Sequence, residues 1–266
     1  MNIVYASNDG YARHLAVSMY SMFEHNADAG QITVYLLSAG MSEENQEKLE
    51  RIAQEFGRSL ITIELGDLKK RFDYPIDTRG FDVSAMSRLF TASVLPKEVE
   101  RALYLDCDTV VAGSLKGLWE TDLGACLVGM VMEPTVYTEI KAAIDLTQEE
   151  AYYNSGVLLM DLKAWRQEGV QERLLSYYRD RNGALFACDQ DTLNGALHGR
   201  IKTLPPKYNF FTNYRYFRYR TLVNATKAYE EVSEAEFEEA KRRPAMIHYM
   251  GDERPWIAGS PTTFSA

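Results

Sequence analysis

The sequence of 266 residues predicts an α/β fold with a mostly parallel central sheet flanked by helices. Two observations predict it. Short β-rich runs occupy residues 2–6, 32–37 and 60–65, and amphipathic helical patterns lie between them. Strands that alternate with helices pair in parallel, because each helix returns the chain to the same edge of the sheet. We therefore expect ligands beyond the carboxyl ends of the strands, where the loops at 6–10 and 106–108 emerge.

The other elements follow from local patterns. Residues 11–24 carry apolar side chains at helical spacing, between the first two strands. Ser42 fits the N-cap of a helix over 43–56, and Gly57 fits its end. Further along the chain we predict a helix at 84–95 that Pro96 ends, strands at 102–105 and 157–160, helices at 170–180 and 190–197, and a helix from the capping box Ser233-x-x-Glu236 to Pro244.

Composition argues against several classes of protein. No apolar run approaches the roughly 18 residues that a membrane helix needs. The net charge of -9 argues against a nucleic-acid-binding protein. Cys107, Cys126 and Cys188 are odd in number and widely spaced, so we predict neither a disulfide framework nor a zinc site. Residues 1–6 have the pattern of a strand rather than of a secretory signal, and we expect a cytoplasmic protein.

An apolar strand runs directly into Asp106 and Asp108. Side chains two residues apart on extended chain point to the same face, so both carboxylates can converge on one cation that also binds a diphosphate. Asp-x-Asp alone is a weak motif, and it also fits a strand end that caps a turn. It further resembles the nucleophile loop of haloacid-dehalogenase-type phosphatases. In those phosphatases the motif follows the first strand, so its position here favours a metal site.

Six segments together resemble the glycosyltransferases of family 8, which include bacterial lipopolysaccharide galactosyl- and glucosyltransferases and glycogenin. In chain order they are Ile3-Val4-Tyr5-Ala6, Ser87-Arg88-Leu89, residues 103–108, Tyr153-Asn154-Ser155-Gly156-Val157-Leu158-Leu159, Asp189-Gln190-Asp191-x-x-Asn194 and His248-Tyr249-x-Gly251-x-x-x-Pro255-Trp256. The likeness spans almost the whole chain. It implies one Rossmann-like GT-A domain over residues 1–266, with a nucleotide-sugar and metal-binding core at about 1–204 and an annex at about 205–266 that completes the donor and acceptor sites.

The resemblance also implies an activity. Such enzymes transfer galactose or glucose from a UDP-sugar to a saccharide or glycolipid, with retention of the α configuration, as in lipopolysaccharide biosynthesis. The implied cofactor is Mn²⁺, with Mg²⁺ as a substitute, and the implied ligands are Asp106, Asp108 and His248. Mixed carboxylate and imidazole ligation suits Mn²⁺ better than an all-oxygen Mg²⁺ site. Without the resemblance, His248 would be interpreted as an ordinary core or surface histidine.

The family match places the donor nucleotide on Ala6, Asn8, Tyr11, Asp106, Gly251 and Arg254. Tyr11 would stack on the uracil and Asp106 would lie near the ribose. Gly251 would let the backbone approach a phosphate, and Arg254 would contact the β-phosphate. Asn8 stands where bacterial relatives tend to have aspartate and Arg254 where they tend to have lysine, so the details of both contacts stay open.

The same match places the transferred sugar among Arg88, Glu133, Asn154, Asp189 and Gln190. Of these, Arg88, Asp189 and Gln190 are the candidate catalytic residues. Glu133 replaces an aspartate that is common in the family, so the choice between galactose and glucose stays open. The Gln190 amide is a poor nucleophile, and both a covalent intermediate and a short-lived ion pair remain possible mechanisms.

The most aromatic stretch, residues 208–219, carries interleaved Arg215 and Arg218, and Arg220 follows it. This pattern suits an acceptor sugar, an anionic glycolipid or peripheral contact with the inner face of a membrane. We favour rings packed under a loop, with exposed arginines. The alternative functions are a phosphatase or nucleotidyltransferase that uses the Asp pair, and a non-catalytic UDP-sugar-binding protein. The sequence predicts no nucleic-acid partner and no specific protein partner.

Overall fold

The computed structural model describes residues 1–251 and 253–260. The strands in these residues are β1 (Asn2–Ser7), β2 (Thr33–Ser38), β3 (Ser59–Glu64), β4 (Arg101–Leu105), β5 (Thr109–Val111), β6 (Val128–Met132), β7 (Tyr153–Asp161), β8 (Ile201–Leu204), β9 (Phe210–Phe211) and β10 (Met246–His248). The α-helices are α1 (Ala12–Glu24), α2 (Glu43–Glu55), α3 (Thr91–Val94), α4 (Lys116–Trp119), α5 (Thr138–Ala143), α6 (Leu162–Gln167), α7 (Val170–Arg179), α8 (Cys188–Ala196), α9 (Tyr219–Ala225) and α10 (Glu234–Arg242). Short 3-10 helices span Asp9–Tyr11, Leu68–Arg71, Val83–Phe90, Pro206–Tyr208, Thr212–Tyr216 and Lys227–Glu231.

The main sheet has seven strands in the order β3-β2-β1-β4-β7-β6-β8. All neighbouring pairs are parallel except those that β7 makes with β4 and β6. The fold is therefore α/β with a mainly parallel central sheet, as the sequence predicts. The central strands are buried over nearly their whole length, because helices cover both faces of such a sheet.

Two elements differ from the predictions. The predicted helix at 84–95 is a 3-10 helix over Val83–Phe90 that continues into α3. Within it, the carbonyl of Ala85 accepts a hydrogen bond from Nε of Arg88 at 2.9 Å, which competes with the backbone bond of an α-helix. β7 begins at Tyr153, four residues before the predicted strand, because the polar start of this strand hides its periodicity. The capping box of α10 is present as predicted.

A smaller sheet joins the middle of the chain to its C-terminal part. Its strand order is β5-β10-β9, and β10 runs antiparallel to β5. This register places His248 beside Thr109, and the backbone N–H of Tyr249 donates to the carbonyl of Asp108 at 3.0 Å. The strand that carries His248 thus pairs directly with the chain that follows the two aspartates.

The aromatic segment at 208–219 packs largely inside the protein, as we favoured. Tyr208, Phe210, Phe211 and Tyr214 are buried, whereas Tyr216 is 62% exposed. The three cysteines are free thiols. Among the residues that the structure describes, no helix is both long enough and apolar enough to cross a bilayer.

Candidate functional site

A cleft of about 440 Å³ opens at the carboxyl edge of the main sheet, where the fold predicts ligands. β1, β4 and β6 end at this edge, and β7 begins there because it runs the opposite way. The lining residues are Ala6, Ser7, Tyr11, Phe81, Asp82, Ser84, Ala85, Arg88, Tyr104, Asp106, Cys107, Asp108, Glu133, Asn154, Ser155, Phe186, Ala187, Asp189, Gln190, His248, Met250, Gly251 and Arg254. All of the predicted site residues except Asn8 are among them.

Asp106, Asp108 and His248 form a cluster with the geometry of a metal site. One potential ligand atom from each lies within 4.8 Å of the others. Nε2 of His248 lies 3.3 Å from Oδ1 of Asp108. Both aspartate side chains are 23% exposed and face the cleft, while the His248 side chain is only 6% exposed. Two carboxylates and one imidazole, open on one side, fit a divalent cation that also binds ligand oxygens.

The electrostatics of this cluster favour an anionic carboxylate beside a cationic partner. Burial opposes charge on both side chains, but their mutual attraction outweighs it. The pKa of Asp108 therefore lies below its ordinary value, with His248 as the main favourable cause and Arg254 as a smaller one. The pKa of His248 is raised, again against burial, by Asp108 and more weakly by Asp106 and Glu133. A bound cation would replace the proton on His248.

Arg88 is buried between two carboxylates that belong to different parts of the site. Its Nη2 contacts Oδ1 of Asp106 at 2.8 Å, and its Nε contacts Oδ2 of Asp189 at 3.0 Å. The guanidinium also stacks over the ring of Tyr104 at 4.5 Å and donates to Ser155. Burial raises the pKa of Asp189 to about 6, although Arg88 opposes that shift. Arg88 thus connects the candidate metal cluster to the candidate sugar pocket.

The polar side chains that line the candidate sugar pocket are hydrogen-bonded to one another. Nδ2 of Asn154 donates to Oε2 of Glu133 and to Oε1 of Gln190, both at 3.0 Å. Nε2 of Gln190 donates to the same Glu133 oxygen at 3.1 Å and to the hydroxyl of Tyr152 at 3.2 Å. Burial raises the pKa of Glu133, and the two amide donors only partly oppose this. These polar groups can exchange their mutual bonds for bonds to sugar hydroxyls.

The predicted nucleotide side is lined by Ala6 and Tyr11, and Tyr11 is 38% exposed. His14 packs against Tyr11 with ring centroids 4.9 Å apart and against Trp256 at 4.5 Å. These contacts attach the C-terminal segment to the start of α1. Asn8 does not line the cleft; its side chain donates to Asp82 at 2.7 Å and accepts from the backbone N–H of Tyr11. Its contact with the base stays a prediction.

Gly251 and Arg254 lie at the rim beside the metal cluster. Gly251 has φ of +67°, a left-handed conformation that glycine adopts without strain. Nε of Arg254 is buried and has no hydrogen-bond partner among the residues described. An unpaired buried donor is costly, so this guanidinium is suited to an anionic ligand.

Sequence reasoning missed several residues of the cleft. Tyr104 lies within an apolar strand, and its hydroxyl donates to Asp106 at 3.2 Å. Ser155 is part of a quoted motif, but its bonds to Arg88 and Asp189 could not be inferred from the pattern. Phe81 and Phe186 lie at the cleft with exposed rings. Neither residue lies in a segment with a recognisable functional motif.

Comparisons with known proteins identify relatives of this chain. The chain matches the family described as Glycosyl transferase family 8 over residues 2–259. It is 24% identical over 259 residues to General stress protein A of Bacillus subtilis (strain 168), covering 96% of this chain and 87% of that protein. It is 26% identical over 260 residues to lipopolysaccharide 1,2-glucosyltransferase of Escherichia coli (strain K12), covering 96% of this chain and 72% of that protein.

The structure is similar to that of the galactosyltransferase LgtC in complex with donor and acceptor sugar analogs. The TM-score is 0.81 with 25% sequence identity, and the match covers 98% of this chain and 91% of LgtC. The family match, the relatives and this likeness agree with one another and with the sequence prediction. The chain belongs to glycosyltransferase family 8 and has the GT-A fold.

Proposed function

We propose that this protein is a retaining, metal-dependent hexosyltransferase that uses UDP-galactose or UDP-glucose. The observation that carries the proposal is the convergence of Asp106, Asp108 and His248 within 4.8 Å at the mouth of a cleft. The names of the relatives support the class of reaction, since they include a lipopolysaccharide 1,2-glucosyltransferase and a galactosyltransferase. The proposed cofactor is Mn²⁺, with Mg²⁺ as a weaker substitute.

The diphosphate of the donor would lie between the metal cluster and Arg254. A bound Mn²⁺ supplies Lewis-acid stabilisation of negative charge on the diphosphate. Arg254 adds a positive charge whose Nε has no partner among the described residues. The left-handed backbone at Gly251 lets a phosphate approach without a side chain in the way.

The nucleoside and the sugar would occupy opposite sides of this diphosphate. Tyr11 presents a partly exposed ring on which a uracil can stack. Glu133, Asn154 and Gln190 present oxygen and amide groups that can bind hexose hydroxyls. Asp189 and Arg88 would contact the sugar from the deeper side of the cleft, where both are buried.

Transfer through a short-lived ion pair agrees best with the hydrogen bonding of Gln190 and Asp189. Oε1 of Gln190 already accepts from Asn154 and from the backbone N–H of Ser155, both at 3.0 Å. Oδ2 of Asp189 is bound by Arg88 and by the hydroxyl of Ser155. Oxygens held in this way are poor nucleophiles, so a covalent intermediate is disfavoured.

In the proposed reaction, the bond from the anomeric carbon to the phosphate oxygen breaks, and its electron pair stays on UDP. The acceptor hydroxyl then forms a bond to the same face of the anomeric carbon and gives its proton to the departing phosphate. The α configuration is retained. The acceptor would be a saccharide or a glycolipid, as the name of the lipopolysaccharide relative suggests. We propose that residues beyond about 205 help to form its site and that the enzyme acts in the cytoplasm, with the inner face of a membrane as a candidate contact.

A UDP-release assay with UDP-galactose and UDP-glucose, each with and without Mn²⁺, tests the proposal. We expect release that depends on Mn²⁺ and is abolished by Asp108→Asn. Asp28→Asn, an exposed aspartate in a turn, is the matched control and should leave release unchanged. Unchanged turnover in Asp108→Asn would remove the metal site from the mechanism. Binding of UDP and Mn²⁺ without turnover would favour a non-catalytic binding protein, and phosphate release without a sugar nucleotide would favour a phosphatase.

A further inference from the structure

The orientation of the Asn154 side chain is determined by the main chain beside it. The backbone N–H of Gly156 donates to Oδ1 of Asn154 at 2.9 Å. A backbone N–H is always a donor, so the atom that it faces must be the amide oxygen. The other end of the same amide, Nδ2, then faces Glu133 and Gln190 as a donor.

This orientation determines that of Asn209, which is fully buried just before β9. The atom of Asn209 that lies 2.8 Å from Oδ1 of Asn154 must be a donor, and is therefore Nδ2. The remaining atom, Oδ1, lies 2.9 Å from Nδ1 of His248 and can only accept. Nδ1 of His248 must then carry a hydrogen.

When a bound cation replaces the second proton, the imidazole keeps one hydrogen, on Nδ1, and Nε2 then has a lone pair for the metal. Nε2 is the atom that faces Asp108, at 3.3 Å. The His248 ring is also held in place by Phe211, with ring centroids 6.0 Å apart. Metal-bound histidines commonly donate their second N–H to a fixed acceptor in this way.

We propose that Asn209 is a positioning residue with two functions. It holds His248 with Nε2 available as a metal ligand, and it connects that ligand through Asn154 to the sugar-binding groups Glu133 and Gln190. The inference rests on the proposed function, because it takes His248 to be a metal ligand. Neither sequence motif nor family resemblance pointed to Asn209.

Two substitutions separate these functions. Asn209→Leu removes both hydrogen bonds at similar volume, and we expect its Kd for Mn²⁺ to rise about 10- to 100-fold. Asn209→Asp keeps an acceptor for His248 but cannot donate to Asn154. We expect its Kd for Mn²⁺ to stay within about threefold of the unsubstituted protein. Its kcat at saturating Mn²⁺ should fall on the order of tenfold, because Oδ1 of Asn154 loses the hydrogen bond that Nδ2 of Asn209 donates.

The measurements are Mn²⁺ titration by calorimetry with UDP present, and kcat from UDP release at saturating Mn²⁺. Asn26→Leu is the matched control, since Asn26 is a buried asparagine whose side chain makes two hydrogen bonds and does not line the cleft. It should lower thermal stability and leave the Kd for Mn²⁺ unchanged. Equal Mn²⁺ affinity in Asn209→Leu and the unsubstituted protein would overturn the inference about Asn209 but not the proposed function. A Kd for Mn²⁺ that rises as much in Asn209→Asp as in Asn209→Leu would have the same consequence. An unsubstituted protein that binds no Mn²⁺ would overturn the proposed function as well.

Discussion

Gly156→Ala is the substitution whose effect on the candidate metal site can be worked out most directly. A Cβ at this position would lie 2.8 Å from Nδ1 of His248 and closer still to Cε1. It would also lie 3.0 Å from Oδ1 of Asn154. The backbone at Gly156 has no positive φ, so the effect would come from the side chain and not from backbone strain.

Ordinary van der Waals contact begins at 3.4 Å, so the His248 ring would have to move by at least about 0.6 Å. Protein–metal distances tolerate only about 0.2 Å, a third of that displacement. Asn209 and Phe211 restrain the ring, so the movement cannot be absorbed easily. We expect the Kd for Mn²⁺ to rise about 10- to 100-fold. The free energy of unfolding should fall by about 1–3 kcal/mol because the site becomes overpacked.

The assay is calorimetric titration with Mn²⁺ in the presence of UDP, together with urea unfolding in EDTA. Gly30→Ala is the control, because a Cβ there meets nothing within 4 Å and the residue has no positive φ. It should leave the Kd for Mn²⁺ unchanged and should not lower the free energy of unfolding. A Gly156→Ala protein with unaltered Mn²⁺ affinity and reduced stability would refute the reasoning, since the clash would then exist without His248 acting as a ligand.

Three further predictions concern charge and surface. Arg88→Gln should lower the free energy of unfolding by about 3–5 kcal/mol in urea unfolding, because Asp106 and Asp189 lose their shared cation; a loss below about 1 kcal/mol would contradict the pairing. In EDTA, the stability of the unsubstituted protein relative to Asp189→Asn should decrease as pH rises from about 4 to 6. The reason is that the pKa of Asp189 is about 6 in the folded state, so the folded protein holds a proton that the unfolded chain has released. A difference in unfolding free energy between the two proteins that does not change with pH would contradict this prediction. Vesicles of anionic lipid should not retain the protein in flotation, since most rings of the 208–219 segment are buried; retention that Tyr216→Ser abolishes would favour the membrane alternative.

The alternation of strands and helices predicted the main sheet because each element there is encoded by local periodicity. Asp106 and Asp108 were predictable for the same reason, as neighbours at the end of an apolar strand. His248 was not predictable from its own surroundings. Its position depends on pairing between β5 and β10, which are more than a hundred residues apart, and only the family resemblance pointed to it.

Asn209 shows what neither pattern nor resemblance could supply. It stands in an aromatic segment and has no distinctive neighbours, and its function follows only from two hydrogen bonds to side chains distant in sequence. The start of β7 was missed for a related reason. Asn154 and Ser155 are polar residues inside a buried strand, and they are tolerated there because each has hydrogen-bond partners in the cleft.

The proposed function requires that one divalent ion is held jointly by Asp106, Asp108 and His248. Anomalous scattering from crystals grown with Mn²⁺ and UDP, measured on both sides of the manganese absorption edge, tests it most directly. We expect one strong manganese peak within about 2.0–2.3 Å of an oxygen of each aspartate and of Nε2 of His248, with the UDP diphosphate on its open side. Bound UDP with no manganese peak between these three side chains, or with the ion at another position, would contradict it.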